Sequence, residues 1–529
     1  MTSHDRHLLP LLAALVLLVP PALAFSPSPL LHSTRFPAST HAYLHRSPYR
    51  TSPSPLGVSD TPSRRFPSVK ASDGERSDRG EEEDTPGRGG LPRRAVLLGL
   101  PAAAAAWLSG LVAASAAPVE DAALSYNRWW VLPLAPFERR KTVRTELVPG
   151  EIWGFDQLLG ALYVQIPIRM TIVRLAPPGE KPSLLVFAPI SPTAECLRLV
   201  RELEADHGPV RHIVLPSPAI EHKVAAGPFA RSFKGAQLWV APDQYSFPFG
   251  LDNAGLLGST QLFWGLDPKP LPPSAETTPW KGEVEHLILG PLKSRGGDAP
   301  GLFEDVAMLH VRTKSLLVTD LVQTIPREIP EVLKDDPRAL LFHARDDAFA
   351  KVEDTPEVRQ RGWNRIALFS LFFQPGGVDV VPWGKALPDM AGSQMKELGW
   401  NGLFPFVWRQ PEGPHPSGKV FWQDSYDALV GKCFVPAILQ SLILDREPTR
   451  VLAFADKVAE WDFERIIPAH LGNSIPAGPA EWRAAFRFLE DSLEPFPGNL
   501  ESLPLSGDAK FLQGISASLT EQGVVGAPD

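Results

Sequence analysis

Cysteine is nearly missing from this chain of 529 residues, where Cys196 and Cys433 are the only two. That excludes a disulfide framework and any CxxC zinc site, so a metal would have to be held by imidazole and carboxylate. No serine has a G-x-S-x-G setting, Ser217 included, which removes the nucleophile elbow of a serine hydrolase. Nor is there a glycine-rich loop to cradle phosphate, since Gly296-Gly297 and Gly376-Gly377 read as turns. Internal repeats are absent, and so is a basic stripe. The net charge is −8; residues 1–116 carry 12 basic and 9 acidic side chains, leaving 40 basic against 51 acidic beyond them. An acidic chain of this kind argues against a nucleic-acid partner.

Proline is the residue in excess. There are 57, concentrated in the first hundred residues and in loops, about twice the usual share. With 21% charged and 44% hydrophobic residues the composition is otherwise globular, and the length suits two or more domains or one large elaborated domain.

The first 116 residues read as addresses. In 1–24, Arg6 precedes an uncharged apolar run from Leu8 to Val19, and Ala22-Leu23-Ala24 offers a small-residue cleavage site, as in a signal peptide. Residues 25–90 begin at Phe25, are rich in Ser, Pro and basic side chains, and end in an acidic spacer around Glu81-Glu82-Glu83-Asp84. Signal followed by transit peptide resembles the two-part leader of plastids acquired by secondary endosymbiosis. In 91–116, Arg93-Arg94 precedes an uncharged stretch ending near Ala114-Ser115-Ala116, similar to a twin-arginine signal for the thylakoid lumen. Retained instead, residues 95–118 are long enough to anchor the chain in a membrane, and a stromal protein that keeps them is a third reading.

Beyond the leader, strands and helices alternate. Leu162 to Ile166, Met170 to Leu175 and Ser183 to Phe187 are strand-like; Thr193 caps a helix whose apolar face is Cys196, Leu199, Val200 and Leu203. A further strand, His212 to Leu215, is stopped by Pro216 and Pro218 and followed by Glu221-His222. Strand, helix, strand in that order implies a right-handed crossover. Gln237 to Val240, Glu283 to Leu289 and Val306 to Arg312 read as strands, and a Thr313-Lys314 turn leads into Ser315 to Asp320. An insertion of about 323–428 contains a Trp-rich stretch, Trp363 to Trp422. Leu429 to Leu444 is expected as a helix kinked at Pro436, Val451 to Trp461 and Glu481 to Leu489 as helices, and 495–529 as a loose tail.

Three of these strands share a design: each is a short apolar run whose carboxyl end carries a carboxylate or an imidazole. They end in Glu221-His222, in Asp320 and in His470. Loops at the carboxyl ends of strands gather into one crevice in layered α/β folds, so these groups can meet. The wording RHIVLPSPAIEHK, SLLVTDLV and RIIPAHLG resembles motifs two, four and five of the metallo-β-lactamase superfamily. It is closer still to the plastid and cyanobacterial branch known as domain of unknown function 4336. The resemblance covers roughly 127–494 and implies an αββα sandwich.

It also implies a metal site, with a deficit. The superfamily's second motif, His-x-His-x-Asp-His, aligns here with Ser217, Ala219, Glu221 and His222, and the histidine of the third motif is not found, His286 being only a loose substitute. The first metal of the superfamily should therefore not form. The second site would use Glu221, His222, Asp320 and His470, with His310 and His286 in reserve, and would hold one zinc or other divalent metal. Taken singly, each has an ordinary role: Asp320 can cap a turn, His470 can bond a carbonyl, and Glu221 and His222 can sit at a helix start. His212, His310 and His343 read as structural. Two functions follow. One is a single-metal hydrolase of a small ester or thioester in which Glu221 serves as the base. The other, favoured by the three absent histidines, is a non-catalytic binding or assembly factor with a thylakoid protein partner.

Overall fold

A computed structural model describes residues 139–161, 164–246, 251–252, 267–292, 303–398, 400–410, 421–490, 505–523 and 525–527. Of the two units into which the chain divides, the described residues belong to one; the other, Ser26–Ala105, lies outside them. The leader segments 1–24, 25–90 and 91–116 likewise lie outside the described residues. Among the described residues no helix is long and apolar enough to cross a membrane.

Two β-sheets form the centre. The first has seven strands in sequential order: β1 (Val143–Val148), β2 (Ile152–Ala161), β3 (Val164–Leu175), β4 (Ser183–Phe187), β5 (Val210–Leu215), β6 (Gln237–Val240) and β7 (Lys269–Pro270). Its first four strands are antiparallel, and β4 to β7 run parallel. The second sheet has β8 (Val284–Leu292), β9 (Phe303–His310), β10 (Ser315–Val318) and β11 (Arg465–Pro468), antiparallel except for the parallel pair β10 and β11.

Side chains alternate across each strand, and the alternation sorts the core into layers. Leu185, Phe187 and Val214 of the first sheet meet Val306, Met308, Leu317 and Ile467 of the second in one buried cluster between the sheets. Their neighbours Leu184, Val186, Ile213 and Leu215 face outward, onto helix α1 (Ala194–His207) through Cys196, Val200 and Leu203 and onto helix α2 (Ile220–Arg231) through Phe229 and Ala230. On the far side Leu316, Val318 and Ile466 face a layer built from α3 (Arg338–Ala344), α4 (Pro356–Phe372), α5 (Trp422–Leu429), α6 (Ala437–Leu442) and α7 (Pro448–Ala459). This is an αββα sandwich, the architecture expected from the sequence. Strands covered on both faces must be apolar at every position, which is why they read as unbroken hydrophobic runs.

The Trp-rich stretch shares that outer core instead of building a separate one, because Trp363, Trp408 and Trp422 are buried in the same cluster as Leu316 and Ile466. Three expectations are corrected. Pro436 does not kink a long helix; it caps α6, and the chain before it has already left α5 at Leu429. Glu481 to Leu489 is not one helix but a short α-helix, Pro479–Ala484, and a 3₁₀ turn, Arg487–Leu489. Within the expected loose tail, Leu505–Glu521 is a helix, α8, held by Leu512 in the core and by Asp508, which accepts hydrogen bonds from Ser425 Oγ and the Gly376 amide.

Leu317 sits in the inter-sheet layer without exposure. We expect Leu317→Ala to cost about 2–5 kcal/mol of stability, read from the midpoint of urea unfolding. The half-exposed Val311 provides a contrast, and Val311→Ala should stay within about 0.5 kcal/mol.

Candidate metal centre

Each candidate ligand lies just beyond the carboxyl end of a strand. Pro216 and Pro218 end β5, and the chain turns through Ala219 into α2, whose first turn carries Glu221 and His222. Asp320 lies two residues past β10 and His470 two past β11, and because these strands are parallel neighbours their ends coincide. One ligand atom from each of the four residues lies within 4.8 Å of the other three.

Asp320 is central. Its Oδ1 meets His470 Nε2 at 3.2 Å and its Oδ2 meets His222 Nε2 at 3.5 Å. The two imidazole rings are 5.1 Å apart, both buried, while Glu221 and Asp320 remain partly open. His470 Nδ1 donates to the Pro167 carbonyl at 3.0 Å, which fixes the ring so that Nε2 points at the cluster. An imidazole tethered by one nitrogen to a backbone carbonyl is how metal-binding histidines are commonly oriented. His222 Nε2, the nitrogen facing Asp320, and Glu221 Oε2 are buried with no hydrogen-bond partner, as ligand atoms awaiting a cation would be.

Two buried groups hold the loops in place. Asp305 accepts from Thr319 Oγ1 at 2.5 Å and from the Asp320 amide at 3.3 Å, pinning the turn after β10, and Thr319 in turn accepts from the Ala469 amide at 3.2 Å. Arg169, on β3, pairs with Asp156 at 2.8 Å and donates to the carbonyls of Pro468 and Gly472 at 2.7 and 2.6 Å, one before and one after His470. Its amide also donates to the Ala469 carbonyl at 2.7 Å. Leu471 takes φ of +55°, a left-handed backbone that a leucine rarely adopts, inside this clamp. Gly472 passes so close to Thr324 that a Cβ would lie 2.4 Å from its methyl.

Sequence reasoning missed Arg169, Asp156 and Asp305. The strand-like pieces expected at Leu162 to Ile166 and Met170 to Leu175 belong to one strand, β3, with Pro167 inside it. At that point β3 has outrun its pairing with β4, which begins at Thr171, so the missing amide costs no ladder bond and the carbonyl is free for His470. The reserve ligands are not in the cluster. His286 donates through Nε2 to the Pro272 carbonyl at 2.7 Å. His310 is paired with Ser315, at the opposite end of β10 from Asp320, and its Nδ1 meets Thr313 Oγ1 at 2.7 Å, so its hairpin turns it away from the site. Ser217 accepts from the Ala219 amide at 3.2 Å, a turn contact with no part in the cluster.

The charges are mutually adjusted. Burial would raise Asp320, but His222 and then His470 hold it well below the usual carboxylate range. Burial lowers His222 despite Asp320. Burial would lower His470, but its bond to Asp320, the charges of Asp320 and Glu221 and its bond to the Pro167 carbonyl together raise it. Burial, reinforced by Asp320, pushes Glu221 up to about 8. The opposite shifts of Asp320 and His470 thus share one origin, their mutual contact, and a bound metal ion would likewise favour the Asp320 carboxylate.

Beside the cluster opens a cavity of about 160 Å³. Glu221, Asp320 and His470 line one end, Ala219 adjoins them, and apolar side chains from β2, β3, β9, α4 and α6 form the rest.

Comparison with known proteins gives three findings. The family model described as Domain of unknown function (DUF4336) matches residues 149–488. No curated protein matches the chain. Solved structures similar to it include a flavo-di-iron protein variant from Thermotoga maritima (TM-score 0.33, 9% identity, 66% of this chain and 62% of that one). The flavodiiron core from Synechocystis sp. PCC6803 gives 0.32, 8%, 66% and 61%. A metallo-beta-lactamase from Pontibacter korlensis gives 0.24, 15%, 38% and 83%. The chain spans about three fifths of the flavodiiron chains it matches, and at these identities no residue role carries over.

Arg169→Ala leaves Asp156 buried without its counter-charge and should cost about 3–5 kcal/mol; adding Asp156→Ala should return part of it, as urea unfolding of the single and double variants will show. A pH dependence follows from Glu304, beside Asp305 on β9. Burial pushes its carboxyl from 4.5 up to about 8, so the folded chain holds a proton that the unfolded chain has released. Stability from this group is therefore lost as pH rises from about 4.5 to about 8. Glu304→Gln, neutral throughout, should gain on the parent in urea midpoint across that window.

Proposed function

The chain belongs to the DUF4336 family, and from that premise we propose that it is a single-metal hydrolase acting on a small ester or thioester. The observation that carries this reading is the convergence of Glu221, His222, Asp320 and His470 at one end of an apolar cavity. On the residues alone a protein without turnover is favoured; four donors converging beside a cavity shift the balance.

The donor set fits a metal. Two imidazoles and a carboxylate suit zinc or another divalent first-row ion, and the unpartnered nitrogen of His222 and the tethered ring of His470 are consistent with ligands in waiting. His222, Asp320 and His470 would hold it, leaving Glu221 free. When bound, such an ion supplies Lewis acidity at the carbonyl oxygen. Glu221, partly open to the cavity, takes a proton from the attacking water and returns it to the leaving oxygen or sulfur. The acyl C–O or C–S bond breaks, and the water oxygen stays on the acyl carbon. The products are a carboxylic acid and an alcohol or thiol. Positive charge beside Glu221 favours its carboxylate form, which this role needs. Arg169 touches none of these atoms; it positions His470.

A second reading, a binding factor with a thylakoid protein partner, is favoured by Ser217 and Ala219 standing where the superfamily has histidines and by Phe349 and Leu387, which are about half exposed. A plastid location, in lumen, thylakoid membrane or stroma, rests on the leader alone.

Metal analysis of purified protein separates the two. We expect one divalent ion per chain, lost in His222→Ala and in His470→Ala. Glu221→Gln should keep the ion while ester hydrolysis falls by about 10²–10⁴-fold. A metal-free, inactive parent protein contradicts the hydrolase reading.

A further inference from the structure

The cavity beside the cluster has a lining that selects for chemistry. Among the described residues its ionisable lining is Glu221, Asp320 and His470, which are clustered together. Away from them the wall is Leu159, Ile166, Phe303, Phe369, Ile438 and Leu439, contributed by both sheets and two helices. Of the neutral polar side chains among the described lining residues, Ser370 donates its hydroxyl hydrogen to the Ala367 carbonyl at 2.7 Å, which leaves Gln323 as the side-chain donor. Among the described residues no arginine or lysine lines the space to receive a phosphate or carboxylate, and none forms an array of donors and acceptors for a sugar. Such a wall rewards the burial of carbon.

Its size sets a limit. An apolar cavity of about 150 Å³ lined by Leu, Ile and Phe accommodates benzene, and the space here is about 160 Å³. We infer that the substrate's acyl group is an uncharged apolar chain or ring of about six carbons, seated in this cavity with its carbonyl at the Glu221 and His470 end. The inference rests on the hydrolase reading for the word acyl; the preference of the cavity for a six-carbon apolar group stands without it. A buried tail carrying a charge would meet no counter-charge along the described apolar wall, and one with a polar tail would lose hydration without recovering hydrogen bonds.

The test uses neutral, unreactive amides as probes, titrated calorimetrically into the full mature chain both as purified and after chelation, with metal content measured in parallel. Hexanamide should bind at least about tenfold more tightly than acetamide, since each methylene removed from water strengthens binding. The preference should survive chelation, because the wall and not the ion creates it. Ser370→Phe, which fills the cavity from α4 and leaves all four cluster residues in place, should abolish the preference and keep the parent's metal content. Leu439→Ala, which enlarges the cavity, should move the optimum to octanamide. Equal binding of the two amides, no binding of either, or a preference untouched by both variants overturns the inference. A metal-free protein that still prefers hexanamide overturns only the hydrolase reading, so the two failures are distinguishable.

Discussion

A single carboxylate shared between two buried imidazoles is the constraint around which the sandwich is arranged. Asp320 faces His470 at 3.2 Å and His222 at 3.5 Å, with one ring from each sheet's side of the crevice. Charge withdrawn from water this far is tolerated only when it is paired and its remaining hydrogen bonds are met. The second tier of contacts meets that demand. Asp305 holds the Asp320 turn from below, Pro167 tethers the far nitrogen of His470, and Arg169 grips the chain on both sides of that histidine. Arg169 and Pro167 belong to the first sheet, whereas His470 follows the last strand of the second, so the same contacts that orient the site also lock the sheets together at this end.

The cavity follows from the same geometry. Helices α4 and α6 close over the carboxyl ends of the second sheet, and the short side chain of Ala219 leaves space where a larger residue would reach the cluster. An apolar room opening onto a polar cluster divides the work, with one part favouring carbon and the other able to place a charge. Neither is formed by one stretch of chain: Asp320 and His470 meet because β10 and β11 are parallel neighbours, and Glu221 joins them from beyond β5 of the other sheet.

What was legible in the sequence was whatever local patterning encodes. Strands buried on both faces announce themselves as apolar runs, and so β4, β5, β6 and β10 were found nearly to the residue, as was α1 with its Thr193 cap. The residues Glu221, His222, Asp320 and His470 could be singled out because strand-end position and a family resemblance pointed at the same places. What escaped was non-local. β2 carries Gly154, Asp156, Gln157 and Gly160, a poor strand by composition, and forms because β1 and β3 pair along its length. Arg169 and Asp156 carry no local mark of burial, and it is tertiary structure that buries them. His310 seemed close to Asp320 by numbering, yet a strand separates near residues by its whole length. The helix at Leu505–Glu521 gave no clear signal because what holds it are side chains of α5 and the outer core, far away in the sequence.

The most direct test of the central claim is X-ray absorption at the zinc edge on zinc-loaded protein. Two imidazoles and carboxylate oxygen around one ion should give a first shell of nitrogen and oxygen at about 2.0–2.2 Å with no sulfur, and the outer-shell scattering of two imidazole rings, reduced to one in His222→Ala. A zinc shell lacking imidazole scattering, or a spectrum unchanged by that substitution, would contradict the account.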